Sequence, residues 1–369
     1  MEIGCLEELE PGERRVALTP DVVKKLVAAS HQVIVERGAG TEAGFLDSAY
    51  EAVGGQVAER GKALGAEIVA TVNCPDPEQL GAGQTLVGLL RPYENPRPLA
   101  ALAQRGVSSI AFELIPRTTR AQSMDALSSQ ATVAGYQAAL EAAMACNRFF
   151  PMLTTAAGTI PPARALVLGA GVAGLQAIAT CRRLGAAVSG FDVRSAAAEQ
   201  VKSLGANFIE VEMTPQDAAQ SGGYATELEA DAERRVLAGL AGPVQAADIV
   251  ISTAAIPGRP APLLITKSMV ESMRPGSVVV DVAASTGGNC ELTRPGEFIE
   301  HNGVAVIGFT DFASRKPHDA SQMYARNVLA LLGLLNQGGE INLDDDILDA
   351  ATVTHAGEVR NERVRALLA

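Results

Sequence analysis

Three glycines spaced Gly169-Ala-Gly171-Val-Ala-Gly174 lie between the apolar run Ala165-Leu-Val-Leu168 and a second run that ends Gly190-Phe-Asp192. The order reads as strand, tight turn, small-residue helix and strand, which is the arrangement that holds a dinucleotide. The first glycine permits the turn, the second lets the backbone approach a diphosphate, and the third lets helix and strand close on each other. The anion would sit on the N–H groups around Val172, Ala173 and Gly174, where the helix dipole favours negative charge. Asp192 lies 18 residues past Gly174, where a carboxylate meets the adenosine ribose. A carboxylate there favours NAD(H) and repels the 2′-phosphate of NADP(H). Val193 and Arg194 continue the segment as candidate cofactor contacts, with Arg194 expected to turn away to the opposite face of the strand. Thr253 and Ala254 follow another apolar run and would line the same site.

Three further segments carry residue types with chemistry to offer. Arg117, Gln122, Asp125 and Ser128 supply a guanidinium, an amide, a carboxylate and a hydroxyl. As candidate catalytic positions they could hold the carboxamide and ribose of a nicotinamide. They fit equally a solvated loop in which Ser128 caps the helix that follows. Residues 213–235, with Gly222-Gly223-Tyr224, make a long polar connection. It reads as a lid with Tyr224 as its latch, or as a surface insertion. The run Val279-Val-Asp281 is followed by Gly287-Gly288-Asn289. It places an acid at a strand's C-terminal end, where ligands of parallel sheets lie, or simply terminates the strand.

The missing residue types are informative too. No His lies between His31 and His301, and no Lys between Lys62 and Lys202. Most dehydrogenases of hydroxy or amino acids need such a group as general acid–base near the carbonyl. Either a carboxylate does that work here, or the reaction moves no proton; hydride exchange between two nicotinamides is of the second kind. The five cysteines are scattered, with no Cys-x-x-Cys, which points to reduced thiols in a cytoplasmic protein and to no metal site. A net charge of −12 argues against nucleic acid and against an anionic membrane surface as partners. The opening Met1-Glu-Ile-Gly-Cys-Leu-Glu-Glu8 reads as no signal peptide, and no apolar run is long enough to insert in a bilayer.

These residues need elements to position them. With 47% hydrophobic residues, 4% aromatics and no Trp, the core must be built from aliphatic side chains, as in buried parallel sheets. Strands are expected at Gln32–Glu36, Glu67–Thr71, Thr85–Leu90 and Ser109–Glu113, with helices at 20–30, capped by Thr19, and at 96–105. A long Ala-rich helix follows over 131–149. Six strands, near 165, 187, 207, 248, 277 and 305, fit a doubly wound sheet, and the chain from Asp319 reads as helical. The expected class is α/β, with two Rossmann-like doubly wound parallel-sheet domains and a cleft between them. The first domain is discontinuous, 1–130 and 320–369; the second, 131–319, binds NAD.

The motifs resemble one family closely. They are Pro11-Gly-Glu-Arg14-Arg15-Val-Ala-Leu-Thr-Pro20, Arg120-Ala-Gln-Ser-Met-Asp125, Leu127-Ser-Ser-Gln130, the glycine turn, Gly222-Gly-Tyr224 and Gly287-Gly-Asn289-Cys290. Together they look like the NAD(H)-binding domain, the alpha-1 subunit, of proton-translocating NAD(P) transhydrogenase. The resemblance implies that Arg117, Gln122, Asp125 and Ser128 surround the nicotinamide side of NAD(H). It implies that Asp192 holds the adenosine ribose and that Tyr224 rides a mobile loop. It further implies an oxidoreductase subunit that forms a homodimer. Such a subunit acts with an NADP-binding domain and membrane subunits, at the inner face of the cytoplasmic membrane. The alternative is an alanine dehydrogenase-like enzyme. That related family binds pyruvate through a Lys and a His, whose positions here are Thr71 and Leu89, while Arg15 is common to both groups.

Overall fold

The computed structural model describes residues 1–211, 220–221, 224–225, 230–256, 258–335 and 340–369. They divide into two compact units, Met1–Gln130 with Ala313–Ala369, and Ala131–Phe312.

Strands are numbered along the chain. The first unit holds β1 (Glu2–Cys5), β2 (Gln32–Glu36), β3 (Gln56–Ala58), β4 (Ile68–Asn73), β5 (Thr85–Leu89) and β6 (Ser108–Ala111), and from its C-terminal stretch β18 (Thr352–His355) and β19 (Glu358–Val359). They form one sheet in the order β19-β18-β6-β5-β4-β1-β2-β3. The strands β1 to β6 pair in parallel, and β18 and β19 are antiparallel additions at the edge. The β4 side chains are buried on both faces, as a central parallel strand requires.

Two expectations need correction in this unit. The chain after Asp319 is not helical throughout, because β18 covers the edge of β6. The β18 segment Thr-Val-Thr-His is β-branched, and Thr354 Oγ1 lies 2.7 Å from Ser109 Oγ. Thr19 precedes the helix Pro20–Ala28 but makes no side-chain cap bond; its carbonyl accepts the Val22 and Val23 N–H groups instead.

The second unit holds a hairpin, β7 (Leu153–Thr155) and β8 (Gly158–Ile160), then β9 (Arg164–Leu168), β10 (Ala187–Phe191) and β11 (Asn207–Phe208). There follow the short pair β12 (Gln220–Ser221) and β13 (Tyr224–Ala225), then β14 (Ile249–Ser252), β15 (Val278–Asp281), β16 (Phe298–His301) and β17 (Val304–Ile307). The main sheet runs β11-β10-β9-β14-β15-β17-β16. Without β16 this is the doubly wound strand order. β16 is a seventh, antiparallel strand on the edge beyond the six expected. Alternation divides the core into two layers. Val167, Ile251 and Val280 face the Ala138, Ala142, Ala177 and Ile178 side, while Leu168, Val250 and Val279 face Val236, Leu240 and Val244. The helix Val172–Arg183 thus packs on the same layer as the long helix Ala126–Ala145.

Candidate functional site

The glycine turn joins β9 to the helix Val172–Arg183. Gly169 sits at φ 90°, a left-handed conformation that favours glycine, and its N–H donates to Phe191 O at 2.8 Å. A Cβ on Gly174 would lie 1.8 Å from Gly169 O, so helix and strand touch there. Gly171, the residue before the helix, is different: among the described residues a Cβ would meet nothing within 4 Å. The turn is therefore tight at its first and third glycines and open at its second, beside first-turn N–H groups that have no partner within a helix. That open space over a 12-residue helix N-terminus is what a diphosphate would fill. Val172 is exposed and Ala173 half-buried at its rim. Thr253 closes the other side. Its N–H donates to Leu168 O at 2.8 Å and its hydroxyl to Gly169 O at 3.0 Å, and Ala254 follows against Gly169.

Asp192 is buried just past the end of β10. Its Oδ2 accepts the Ala170 N–H at 2.8 Å and Arg194 Nη2 at 2.9 Å. Its Oδ1 accepts the Arg194 N–H at 2.8 Å and Nε at 2.9 Å. The expectation that Arg194 turns away from Asp192 is thereby overturned. A strand puts residues two apart on one face, so position 194 falls on the side of Asp192, and just past the end of β10 the arginine folds back into a two-pronged ion pair. The four acceptor positions of the carboxylate are all engaged, and a ribose diol must displace some of the Arg194 contact to reach it. Val193 is half-buried between the two. Gly223 lies outside the described residues, as does most of 213–235; the backbone of Tyr224 pairs with Ser221.

In the first unit, the Arg117–Ser128 segment contains a short 3-10 turn, Gln122–Met124. Arg117 and Gln122 are exposed. Asp125 and Ser128 come together: Asp125 accepts the Ser128 N–H at 2.8 Å and its hydroxyl at 2.6 Å. The carboxylate of Asp125 therefore caps the long helix, and Ser128 is its third residue, not its cap. Arg120 pairs with Asp345 and Asp346.

Sequence reasoning missed a polar cluster at the C-terminal ends of β1 and β4. Arg15 grips Glu13 through Nε at 2.8 Å and Nη2 at 2.6 Å, and reaches Gln130 Oε1 at 2.9 Å. Asn73 donates to Glu13 at 3.0 Å and to Glu8 at 3.2 Å, and Ser314 also donates to Glu13. Arg91 joins Asn73 to Glu10. Burial pushes Glu13 upward, but the adjacent Arg15 outweighs it and holds the carboxyl at about 2. Burial raises Glu8 to about 7, against the Val72 and Asn73 N–H groups that favour its charged form. The signal that could have found this cluster is the run of acids before Arg15, read with Asn73 at a strand's C-terminal end. Thr71 is buried on β4 with no hydrogen bond to its Oγ1, and Leu89 ends β5, half-buried.

The domain models named alanine dehydrogenase/PNT, N-terminal domain and C-terminal domain, match residues 4–134 and 138–362. This chain belongs to the alanine dehydrogenase/PNT family. Its similarity to one branch is higher. NAD(P) transhydrogenase subunit alpha of Cereibacter sphaeroides is 45% identical over 97% of this chain and 71% of that one. The same subunit of Haemophilus influenzae is 43% identical over 97% and 71%. The solved transhydrogenase from Sinorhizobium meliloti superposes with a TM-score of 0.89 at 42% identity, covering 97% and 100%. A solved L-alanine dehydrogenase superposes at 0.84 with 27% identity, covering 100% and 99%. Solved members of both branches of the alanine dehydrogenase/PNT family thus share this fold. Among the described residues, no helix is long and apolar enough to cross a membrane.

Proposed function

We propose that this chain is the NAD(H)-binding component of a proton-translocating NAD(P) transhydrogenase. Hydride then passes directly between NAD(H) on this chain and NADP(H) on a partner domain. The observation that carries this reading is the pair Thr71 and Leu89 on β4 and β5. Reduction of an imine or ketone needs a proton donor, and neither residue is one. Direct exchange, NADH plus NADP⁺ to NAD⁺ plus NADPH, moves a hydride and no proton. The polar residues near those strand ends are engaged with one another: Glu13 with Arg15, Asn73 with Glu8 and Arg91.

In this reading Gly169, Gly171, Val172, Ala173 and Gly174 receive the diphosphate on backbone. Asp192, Val193 and Arg194 take the adenosine ribose, and Thr253 and Ala254 line the turn. Gly223 and Tyr224 belong to a loop that closes over the nucleotide. Arg117, Gln122, Asp125 and Ser128 serve the carboxamide and ribose at the nicotinamide end. The nicotinamide supplies the hydride chemistry; the protein supplies binding, orientation and exclusion of water. The preference for NAD(H) rests on the anionic Asp192, beside which a 2′-phosphate is repelled.

Activity would require the NADP-binding domain and the membrane subunits, which would place the chain at the inner face of the cytoplasmic membrane. A homodimer is supported by large apolar side chains exposed on the second unit: Met144 at 84%, Met152 at 62% and Phe149 at 56%. The test is mixing. With a purified NADP-binding domain, NADH and NADP⁺ should yield NADPH; no exchange overturns the reading. NADH oxidation by pyruvate and ammonium, expected to be absent, would instead favour the alanine dehydrogenase alternative.

A further inference from the structure

Asn289 lies off the glycine turn, follows the left-handed pair Gly287 and Gly288, and is fully buried. Its side-chain oxygen accepts Ser252 Oγ at 2.8 Å and the Ala254 N–H at 3.1 Å. Its side-chain nitrogen donates to Ala254 O at 2.9 Å and Pro262 O at 2.8 Å. Two acceptor and two donor positions are the full capacity of an amide, and the Ala254 N–H and C=O fix which end is which. The backbone adds to this. The Asn289 N–H donates to Asp281 Oδ2 at 2.7 Å, and its carbonyl accepts the Leu264 and Ile265 N–H groups. Asp281 is held in turn by the Cys290 N–H at 2.9 Å and Thr293 Oγ1 at 2.6 Å. One residue, through its side chain and its backbone, therefore ties together the ends of β14 and β15 and the segment at 262–265.

Ala254 is the link to the turn. A Cβ on Gly169 would lie 3.0 Å from Ala254 N and 2.9 Å from Thr253 Oγ1. The backbone that Asn289 grips on both its N–H and its C=O is thus the backbone packed against the first glycine. We infer that Asn289 is a positioning residue for the nucleotide site. It touches no ligand itself, but through Ala254 it sets how the 253–254 backbone lies against the diphosphate turn. This inference rests on the dinucleotide reading of that turn. No other residue type of this size both donates and accepts with this geometry. Leu, Asp or Ser would each leave at least one of Ala254 N–H, Ala254 O and Pro262 O unpaired in a buried place, which is unfavourable.

The experiment is NADH binding by calorimetry on wild type, Asn289→Ala and Asn289→Asp, each checked for folding by circular dichroism. Asn289→Ala should weaken NADH binding about tenfold or more on the folded protein. Asn289→Asp gives a readout that general loosening would not. Its charged form sets an oxygen against two carbonyls and close to the carboxylate of Asp281. Its protonated form restores one donor. Its NADH affinity should therefore improve as pH is lowered from about 8 to about 6, while wild type stays comparatively flat. If wild type binds NADH and both folded variants bind it equally well and with the same pH dependence, the inference is overturned. If Asn289→Ala does not fold, the pH profile of Asn289→Asp decides in the same way. Failure of wild type to bind NADH overturns the dinucleotide reading itself.

Discussion

The second and third glycines of the turn should respond in opposite ways to the same added methyl. Gly174→Ala sets a Cβ 1.8 Å from Gly169 O and 2.9 Å from Thr253 Oγ1. Both neighbours are anchored, Gly169 by its N–H bond to Phe191 O and Thr253 by its N–H bond to Leu168 O, so the helix must move off the strand. Overpacking of this kind costs about 1–3 kcal/mol. For a unit of this size that is a fall in melting temperature of roughly 2–12 °C. Among the described residues, Gly171→Ala meets nothing within 4 Å, and it starts from φ −77°, which an L-residue adopts freely. Its stability should stay within about 0.5 kcal/mol of wild type. The methyl would instead stand where a diphosphate approaches, and the same penalty of about 1–3 kcal/mol would appear in binding. That corresponds to a dissociation constant for NADH raised roughly 5- to 150-fold. The assay pairs calorimetric melting with NADH titration on both variants. A Gly171→Ala protein that melts like wild type and binds NADH like wild type would refute the assignment of this turn to the diphosphate.

Glu13→Gln should lower stability by about 3–5 kcal/mol, because it leaves the buried Arg15 guanidinium without its counter-charge; unchanged thermal denaturation would count against the pair as a structural element. Glu8, with its pKa raised to about 7 from 4.5, binds its proton more tightly in the folded state. Its contribution is therefore full below about 4.5 and is lost as pH rises to about 7. In chemical denaturation the slope of stability against pH across that window should shrink in Glu8→Gln, and an unchanged slope would assign the proton elsewhere. Arg194→Ala frees two acceptor positions on Asp192 and removes the cation beside it. The ratio of NADPH to NADH dissociation constants should rise about tenfold; a constant ratio would show that Arg194 plays no role in nucleotide choice, and a smaller one that it acts in the opposite sense.

What could be read from residues alone has a physical boundary. β5, β9, β14, β15 and β17, and the centre of β2, were legible because a parallel strand covered on both faces shows as a near-continuous apolar run. β18 was not, because a segment with two threonines and a histidine becomes a strand only when the open edge of β6 needs covering. The glycine turn was legible because a strand-turn-helix this tight demands glycine at 169 for its left-handed φ and at 174 for the approach of helix to strand. Asp192 was legible as a residue type at a fixed spacing, but its partner was not: a two-residue spacing gives only a shared face, and the fold-back that lets Arg194 grip the carboxylate with two prongs is made by the chain past the strand's end. The Asp125 and Ser128 pair shows the same limit, since a carboxylate followed three residues later by a hydroxyl reads as ligand-binding chemistry and as a helix cap alike. Asn289 lies farthest beyond the boundary. Its four side-chain partners come from residues 252, 254 and 262, and no spacing rule connects them. Such a residue becomes visible only once the strand ends are placed side by side, where a buried amide must find four partners, and two of those it finds are the N–H and C=O of Ala254, packed against the first glycine of the turn.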